Sequence, residues 1–281
     1  EANENALKMA SFATGKSKII AFEKGFHGRT SAAVAATDNT KINAPLNSQH
    51  EVVFLPLNDI ASLEKELSKK DVAAVIIEGI QGVGGLNEGS TVFFKSLEKL
   101  CRQYGAILIL DEIQSGYGRS GKFFSFQHHG IHPDIISMAK GMGNGFPVGG
   151  ILISNKIEAS YGLLGTTFGG NHLACAAAIS VLDVIEKEQL MENVTKVSSH
   201  FLERIKEIDQ IRSVKGKGLM LGVTFDFPVA KMRKQLIFEE GIFTGGSADP
   251  TLLRILPPLS VGTEEIDFFI DALKSVLKSI N

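Results

Sequence analysis

Cysteine is scarce in this sequence: Cys101 and Cys175 are the only two among 281 residues. Two thiols do not make a disulfide framework, so a reducing compartment, the cytoplasm, is expected. Long apolar runs are missing as well. None approaches the ~18–20 residues that a bilayer-spanning helix needs. Basic runs are short and the formal net charge is −2, which argues against a dedicated nucleic-acid binder. There is no internal repeat, low-complexity tract or flexible linker. What remains is globular composition, 44% hydrophobic and 21% charged, in a length that suits one large domain or two smaller ones.

The order of apolar runs sets the fold class. Candidate strands are Lys18–Phe22, Val52–Leu55, Val72–Ile77, Ala106–Leu110, Ile135–Met138 and Val148–Ser154, with helices such as Asp59–Ser68 and Thr91–Tyr104 between them. That alternation is the βαβ signature of a mostly parallel sheet flanked by helices. Ala174 to Val184 is apolar almost all round, which predicts a buried helix. From Ile211 the pattern changes to a small α+β unit, with strands at Leu219–Phe225 and Leu252–Leu256 and a helix at Val229–Glu240. Its last helix carries Ile266, Phe269, Ile270, Leu273, Val276, Leu277 and Ile280 at helical spacing, an apolar stripe for a core. The chain starts inside a helical pattern without Met, so a segment preceding Glu1 is expected.

The apolar run Ala106–Leu110 ends in Asp111-Glu112 and a Gly-rich turn through Gly121. A strand of this kind delivers side chains to the carboxyl edge of the sheet, where open α/β folds bind ligands. The next strand ends at Lys140, between small residues. One carboxylate and one amine at strand ends suit a cofactor with a cationic nitrogen to stabilise and an aldehyde to capture. Pyridoxal phosphate (PLP) is such a cofactor. Asp111 would keep the pyridine nitrogen protonated. Gln114 is placed to reach the ring's phenolic oxygen. Lys140, partly desolvated, would offer a free amine.

Other residues fit the same chemistry. Phe26 stands after a strand end, where an aromatic can stack on a planar ring, with His27 beside it. Arg29 offers a fork for a carboxylate. Thr166 and Thr167 precede a helix and suit a phosphate or substrate contact, with Asn171 as an N-cap. Arg254 is a charge inside an apolar strand, so it needs either a salt-bridge partner or a substrate carboxylate. His128, His129 and His132 lack the accompanying cysteines or carboxylates of a metal site, and no metal is expected. Thr14-Gly15-Lys16-Ser17 ends like a P-loop, but Ala10 stands where its first glycine should be. Gly15 reads better as a helix C-cap.

Taken together these residues resemble the class III, ornithine-type aminotransferases of PLP fold type I, most closely those acting on N-acetylornithine and N-succinylornithine. The matching motifs run in order: Glu1-Ala2-Asn3-Glu4, Phe26 to Thr30, Glu78-Gly79-Ile80-Gln81-Gly82, Asp111 to Gly121, Lys140, Thr166 to Asn171, Gly216 to Met220, and Arg254 with Pro257-Pro258. The resemblance implies residues 1–185 as a PLP-binding large domain lacking its N-terminal part. Residues 186–281 would be a connector helix and a small C-terminal α+β domain. It implies a cytoplasmic homodimer with shared sites. Lys140 would carry the cofactor and shuttle the proton. Phe26, His27, Asp111, Gln114 and Thr167 would bind PLP, and Arg29, Thr166 and Arg254 the substrates. The implied reaction moves the amino group of an N2-acyl-L-ornithine to 2-oxoglutarate. Ornithine δ-aminotransferase, 4-aminobutyrate aminotransferase and a PLP-fold protein without turnover stay open as alternatives.

Two departures from the family pattern stand out. Gly79 and Val83 replace a Pro and a Glu of the usual motif. In relatives that Glu pairs with the arginine matching Arg254, so Arg254 should be either paired elsewhere or always open. The family's Ser-Gly-Thr phosphate loop would stand immediately before Glu1, outside this sequence.

Overall fold

A computed structural model describes residues 1–280, the side chain of Ile280 excepted. In chain order the elements are α1 (Ala2–Thr14), β1 (Lys18–Phe22), α2 (Ser31–Ala35), β2 (Val52–Leu55), α3 (Ile60–Leu67), β3 (Val72–Glu78), α4 (Thr91–Tyr104), β4 (Ile107–Asp111), β5 (Ile135–Met138), β6 (Gly150–Ile153), α5 (His172–Lys187), α6 (Leu190–Arg204), β7 (Ser213–Lys217), β8 (Met220–Thr224), α7 (Ala230–Phe238), β9 (Leu252–Ile255) and α8 (Thr263–Ile280). Six strands form one sheet in the order β2-β1-β3-β4-β5-β6. The first five run parallel and β6 closes the edge antiparallel. The fold is therefore α/β, with a mostly parallel central sheet flanked by helices.

The continuous apolar strands follow from burial on both faces. In β3 every residue is buried, and successive side chains serve opposite layers. Val75 and Ile77 pack with Phe93, Phe94 and Leu97 of α4. Ala74 and Ile76 pack with Ala6 and Ala10 of α1. Short alanines on that second face let α1 lie close to the sheet, which brings its first turn to the strand ends. Gly15 ends α1 at φ 67, its N–H bonded to the Ser11 carbonyl, so the Gly-Lys-Ser stretch is a helix cap.

Strands β7, β8 and β9 make a separate antiparallel sheet. Its core is sealed by α8, whose Ile266, Phe269, Ile270, Leu273, Val276 and Leu277 are all buried, as the stripe predicts. β7 has no counterpart among the predicted strands. Ser-Val-Lys-Gly-Lys carries one apolar residue and no alternation to read.

The prediction of a buried helix after Asn171 is not met. α5 buries only Ala174, Ala178 and Ile185. Leu173, Ile179, Leu182 and Val184 are exposed. An all-round apolar pattern records the total surface to be covered, not which partner covers it. Among the described residues only one stripe of the helix has a neighbour. No helix among the described residues is long and apolar enough to cross a membrane.

Candidate active site

The carboxyl ends of β3, β4 and β5 set Glu78, Asp111 and Ser137 side by side, in register. Two of these strands run one residue further than their apolar runs, so both acids are the last residues of their strands. Asp111 is buried, 4% exposed. Its Oδ2 accepts from Nδ2 of Asn3 at 2.7 Å and faces Nδ1 of His27 at 2.8 Å. Its Oδ1 accepts the Ile113 N–H at 3.1 Å. A carboxylate has about four acceptor positions, so capacity remains for one more donor.

Asn3 was not among the residues singled out, yet it orients this acid. Its amide also donates to the His27 carbonyl at 2.7 Å, and its Oδ1 accepts the Ser137 hydroxyl at 2.5 Å. Both ends of the amide are thus assigned and the side chain cannot flip. The sequence signals were its place in the Glu1-Ala2-Asn3-Glu4 motif, which carried no role for it, and an asparagine inside a helical pattern, a residue that disfavours helix interiors. His27 is also buried. Burial alone would push its imidazolium down, but its hydrogen bond to Asp111 and the charges of Asp111 and Glu78 outweigh that and raise it. Glu78 is pushed up to about 7, by burial first and by the neighbouring Asp111 charge, against the opposing pull of His27 and two backbone N–H groups.

Glu112 has a different job. It accepts from Ser115 Oγ, from Ser125 N and Oγ, and from Phe126 N. Burial raises its pKa despite these bonds. It folds the loop after β4 back on itself. Gly79, where relatives carry Pro, belongs to this arrangement. A Cβ at Gly79 would lie 2.0 Å from Ser125 Oγ.

Lys140 opens a 3-10 turn directly after β5, with a left-handed φ of 46°. A non-glycine residue there is strained, and such strain concentrates at functional positions. The expected partial desolvation is not found: Lys140 is exposed. It borders an open cleft of about 470 Å³ shared with Gln114, Tyr117 and Arg119. A short turn at a strand end raises the side chain off the sheet edge into that cleft.

Phe26 is half-buried beside His27, and its N–H is held by Glu78. Arg29 is exposed three residues further on. Arg254, third residue of β9, donates through Nη1 to the Gly82 carbonyl at 2.7 Å and to Gln114 Oε1 at 3.3 Å. Among the described residues no carboxylate lies within ion-pair distance of it. Burial, then the charge of Arg233, lower its pKa. Arg254 is thus held by neutral acceptors, and the two sheets meet at the carboxyl edge. Its bond to Gln114 fixes that amide with the oxygen toward the arginine, leaving Nε2 as a donor. Gly82 permits this: a Cβ there would come within 2.2 Å of Gln114 Oε1. Thr166 and Thr167 lie exposed in the loop before α5, and no hydrogen bond among the described residues joins them to this cluster. Asn171 is the α5 N-cap, accepting from Ala174 N. His129 stacks on Phe94 at 4.2 Å, and His128 pairs with the Ser120 carbonyl.

Comparison with known proteins defines the class. The family Aminotransferase class-III matches residues 1–277. An acetylornithine aminotransferase of Bacillus subtilis (strain 168) is 40% identical over 286 residues, covering 99% of this chain and 73% of the relative. The ornithine aminotransferase of Toxoplasma gondii ME49 superposes with a TM-score of 0.91 at 27% identity, over 99% of this chain and 70% of that one. A second structure of the Toxoplasma gondii enzyme, described with PLP partially occupying its active site, matches with a TM-score of 0.90 at 27% identity, over 99% of this chain and 71% of that one. The chain belongs to the class-III aminotransferases. PLP is the cofactor of that family. The donor set at the sheet edge fits it: a buried, oriented carboxylate with acceptor capacity left, an amide fixed as a donor, a half-buried aromatic and a lysine at the cleft.

Proposed function

We propose that this chain transfers the δ-amino group of an N2-acyl-L-ornithine, acetyl or succinyl, to 2-oxoglutarate. The products would be the N-acylglutamate 5-semialdehyde and glutamate, a step of arginine biosynthesis. The observation that carries this reading is Asp111: a buried carboxylate, locked by His27 and Asn3, one strand away from Lys140. Kinship with acetylornithine aminotransferases supports the choice of donor.

PLP, when bound, supplies the electron sink for a carbanion next to nitrogen. The chain does the rest. Asp111 holds a proton on the ring nitrogen, and His27 and Asn3 keep its carboxylate aimed. Gln114 would donate to the ring oxygen, Phe26 and His27 would hold the ring, and Thr167 would contribute to phosphate binding. Lys140 would anchor the cofactor; once the incoming amine has freed it, its Nζ would take the proton from the donor's δ carbon, and in the second half-reaction it would give a proton to the α carbon that 2-oxoglutarate contributes. Arg29 binds the donor's α-carboxylate, with Thr166 near the substrate. Arg254 clamps the α-carboxylate of 2-oxoglutarate. Donor and acceptor use the site in turn, which is a ping-pong cycle.

We read the protein as a homodimer with shared sites. The exposed apolar face of α5, next to the loop of Thr166 and Thr167, supports this. We read residues 1–185 and 186–281 as its two domains, each with its own sheet. The test is kcat/KM for N-acetylornithine, N-succinylornithine, ornithine and 4-aminobutyrate with 2-oxoglutarate. An acylated donor should lead by at least about tenfold, roughly the value of one pocket contact. A lead for free ornithine or 4-aminobutyrate would replace the reading with the corresponding aminotransferase.

A further inference from the structure

Glu78 has no role in the scheme above, yet it touches both halves of it. Its Oε1 accepts the Phe26 N–H at 3.0 Å and its Oε2 accepts the Gly82 N–H at 2.9 Å. The Gly82 carbonyl in turn receives Nη1 of Arg254 at 2.7 Å. Phe26 and Gly82 lie outside every helix and strand, so no ladder fixes their N–H groups. The carboxylate is only 6% exposed. A buried acid is costly unless its lone pairs are filled. Here two loop amides each engage one oxygen, and no cation among the described residues lies within ion-pair distance.

The next strand repeats the device one step over. Asp111, in register with Glu78, holds the ring of His27, the residue after Phe26. Two adjacent carboxylates thus grip two consecutive residues of one loop. Only Glu78 also reaches the loop beneath Arg254.

We infer that Glu78 is a positioning residue whose two oxygens set the spacing between the Phe26 segment and the Gly82 carbonyl that holds Arg254. One side chain then fixes both where the cofactor ring stacks and where the substrate carboxylate is clamped. The inference rests on the proposed roles of Phe26 and Arg254.

Glu78→Gln tests it in the full chain. The amide oxygen can accept from one loop N–H, but the amide nitrogen faces the other as a second donor. Three readouts are taken: Kd for PLP by fluorescence quenching, KM for 2-oxoglutarate, and hydrogen exchange at the Phe26 and Gly82 amides. In the unaltered chain both amides exchange slowly. In Glu78→Gln at least one exchanges faster, PLP binds about tenfold more weakly and KM rises about tenfold, the size of a lost hydrogen bond to a charged group. The KM effects of Glu78→Gln and Arg254→Lys are then non-additive. A variant that only melts earlier, with Kd and KM unchanged, overturns the inference. If the variant does not fold, fast exchange at both amides of the unaltered chain overturns it and slow exchange at both supports it. Phe26→Ala and Arg254→Lys separate the two levels. If they change Kd and KM while Glu78→Gln does not, the inference alone fails. If they change neither, the functional reading fails with it.

Discussion

At the scale of single residues, the site is a set of side chains whose freedom has been removed before any ligand arrives. Asn3 and Gln114 each have their amide orientation assigned by hydrogen bonds, and Asp111 is met from three directions. Lys140, Arg29, Thr166 and Thr167 are exceptions: all four are exposed, and Lys140 is strained as well. Lys140→Ala should leave the fold intact and lower kcat by at least about 10²-fold, the lower range for a lost proton-transfer group. A variant within twofold of the unaltered rate, by steady-state assay, would mean another group moves the proton. Val83 bears on Arg254. Among the described residues no carboxylate lies within ion-pair distance of that arginine, and its Nη1 meets only neutral acceptors, so an α-carboxylate need displace no ion-pair partner. Val83→Glu should lower the rate with glutamate as first donor, and an unchanged rate would remove Val83 from the account. Gly79 is a substitution with a visible compensation, because Ser125 Oγ occupies the space of its missing Cβ and serves buried Glu112. Gly79→Ala should cost roughly 2–3 kcal/mol, from crowding and from the disturbed bonds to a buried acid. An unchanged urea midpoint would show that Ser125 can move without loss.

At the scale of elements, the parallel strands put like charges next to one another. Glu78 and Asp111 end neighbouring strands, and His27 offsets only part of the repulsion. The consequence is a pH dependence with a definite sign. Glu78 titrates at about 7 when folded, above its ordinary 4.5, so the folded state binds more protons between those values and stability falls as pH rises across them. His27 is raised above its ordinary 6.5. Its contribution is complete below that value and is lost as pH rises through the higher folded one. Both groups act in the same direction. Carboxylates held low, such as Glu66 and Asp249, add stability that is lost only on the acid side of this window. His128 and His129, lowered by burial, act the other way below their ordinary 6.5, so the thermal midpoint should decline from about pH 6.5 upward, through the folded value of Glu78 near 7. Glu78→Gln should flatten that slope. An equal slope in the variant would place the titration elsewhere.

The elements also show what a sequence can and cannot announce. β1, β2 and β5 fall where their apolar runs lie, because burial on both faces demands continuous apolar residues. The place of Asp111 and Lys140 at the carboxyl edge was legible because the first ends such a run and the second follows one after a single residue. Asn3 was not, since its partners are 24, 108 and 134 residues away in sequence. Glu78 carried a motif but no role, because its work is done through two backbone N–H groups that no side-chain pattern records. The misreading of α5 has the same root. Apolarity is local, while the surface that covers it is not.

At the scale of the whole molecule, two separate sheets are joined where Arg254 reaches from the second to the loop after β3 of the first. The exposed Leu173, Ile179, Leu182 and Val184 of α5 lie on a helix beginning at the Thr166–Asn171 loop. A second copy seated on that face would bury apolar side chains worth about 1.5–3 kcal/mol each when fully covered. The chain should sediment as a dimer at micromolar concentration, and Ile179→Glu should sediment as a monomer. A monomeric unaltered chain would leave α5 to some other partner.

On the proposed reading, Lys140 and Asp111 form a working PLP site for an acylated ornithine. The most direct measurement is the visible spectrum of the purified chain with PLP, before and after N-acetylornithine, beside Lys140→Ala. The unaltered chain should show a band that the donor converts and 2-oxoglutarate restores, and the variant should show no such band. A band that persists in Lys140→Ala, or one that none of the acylated donors changes, would contradict it.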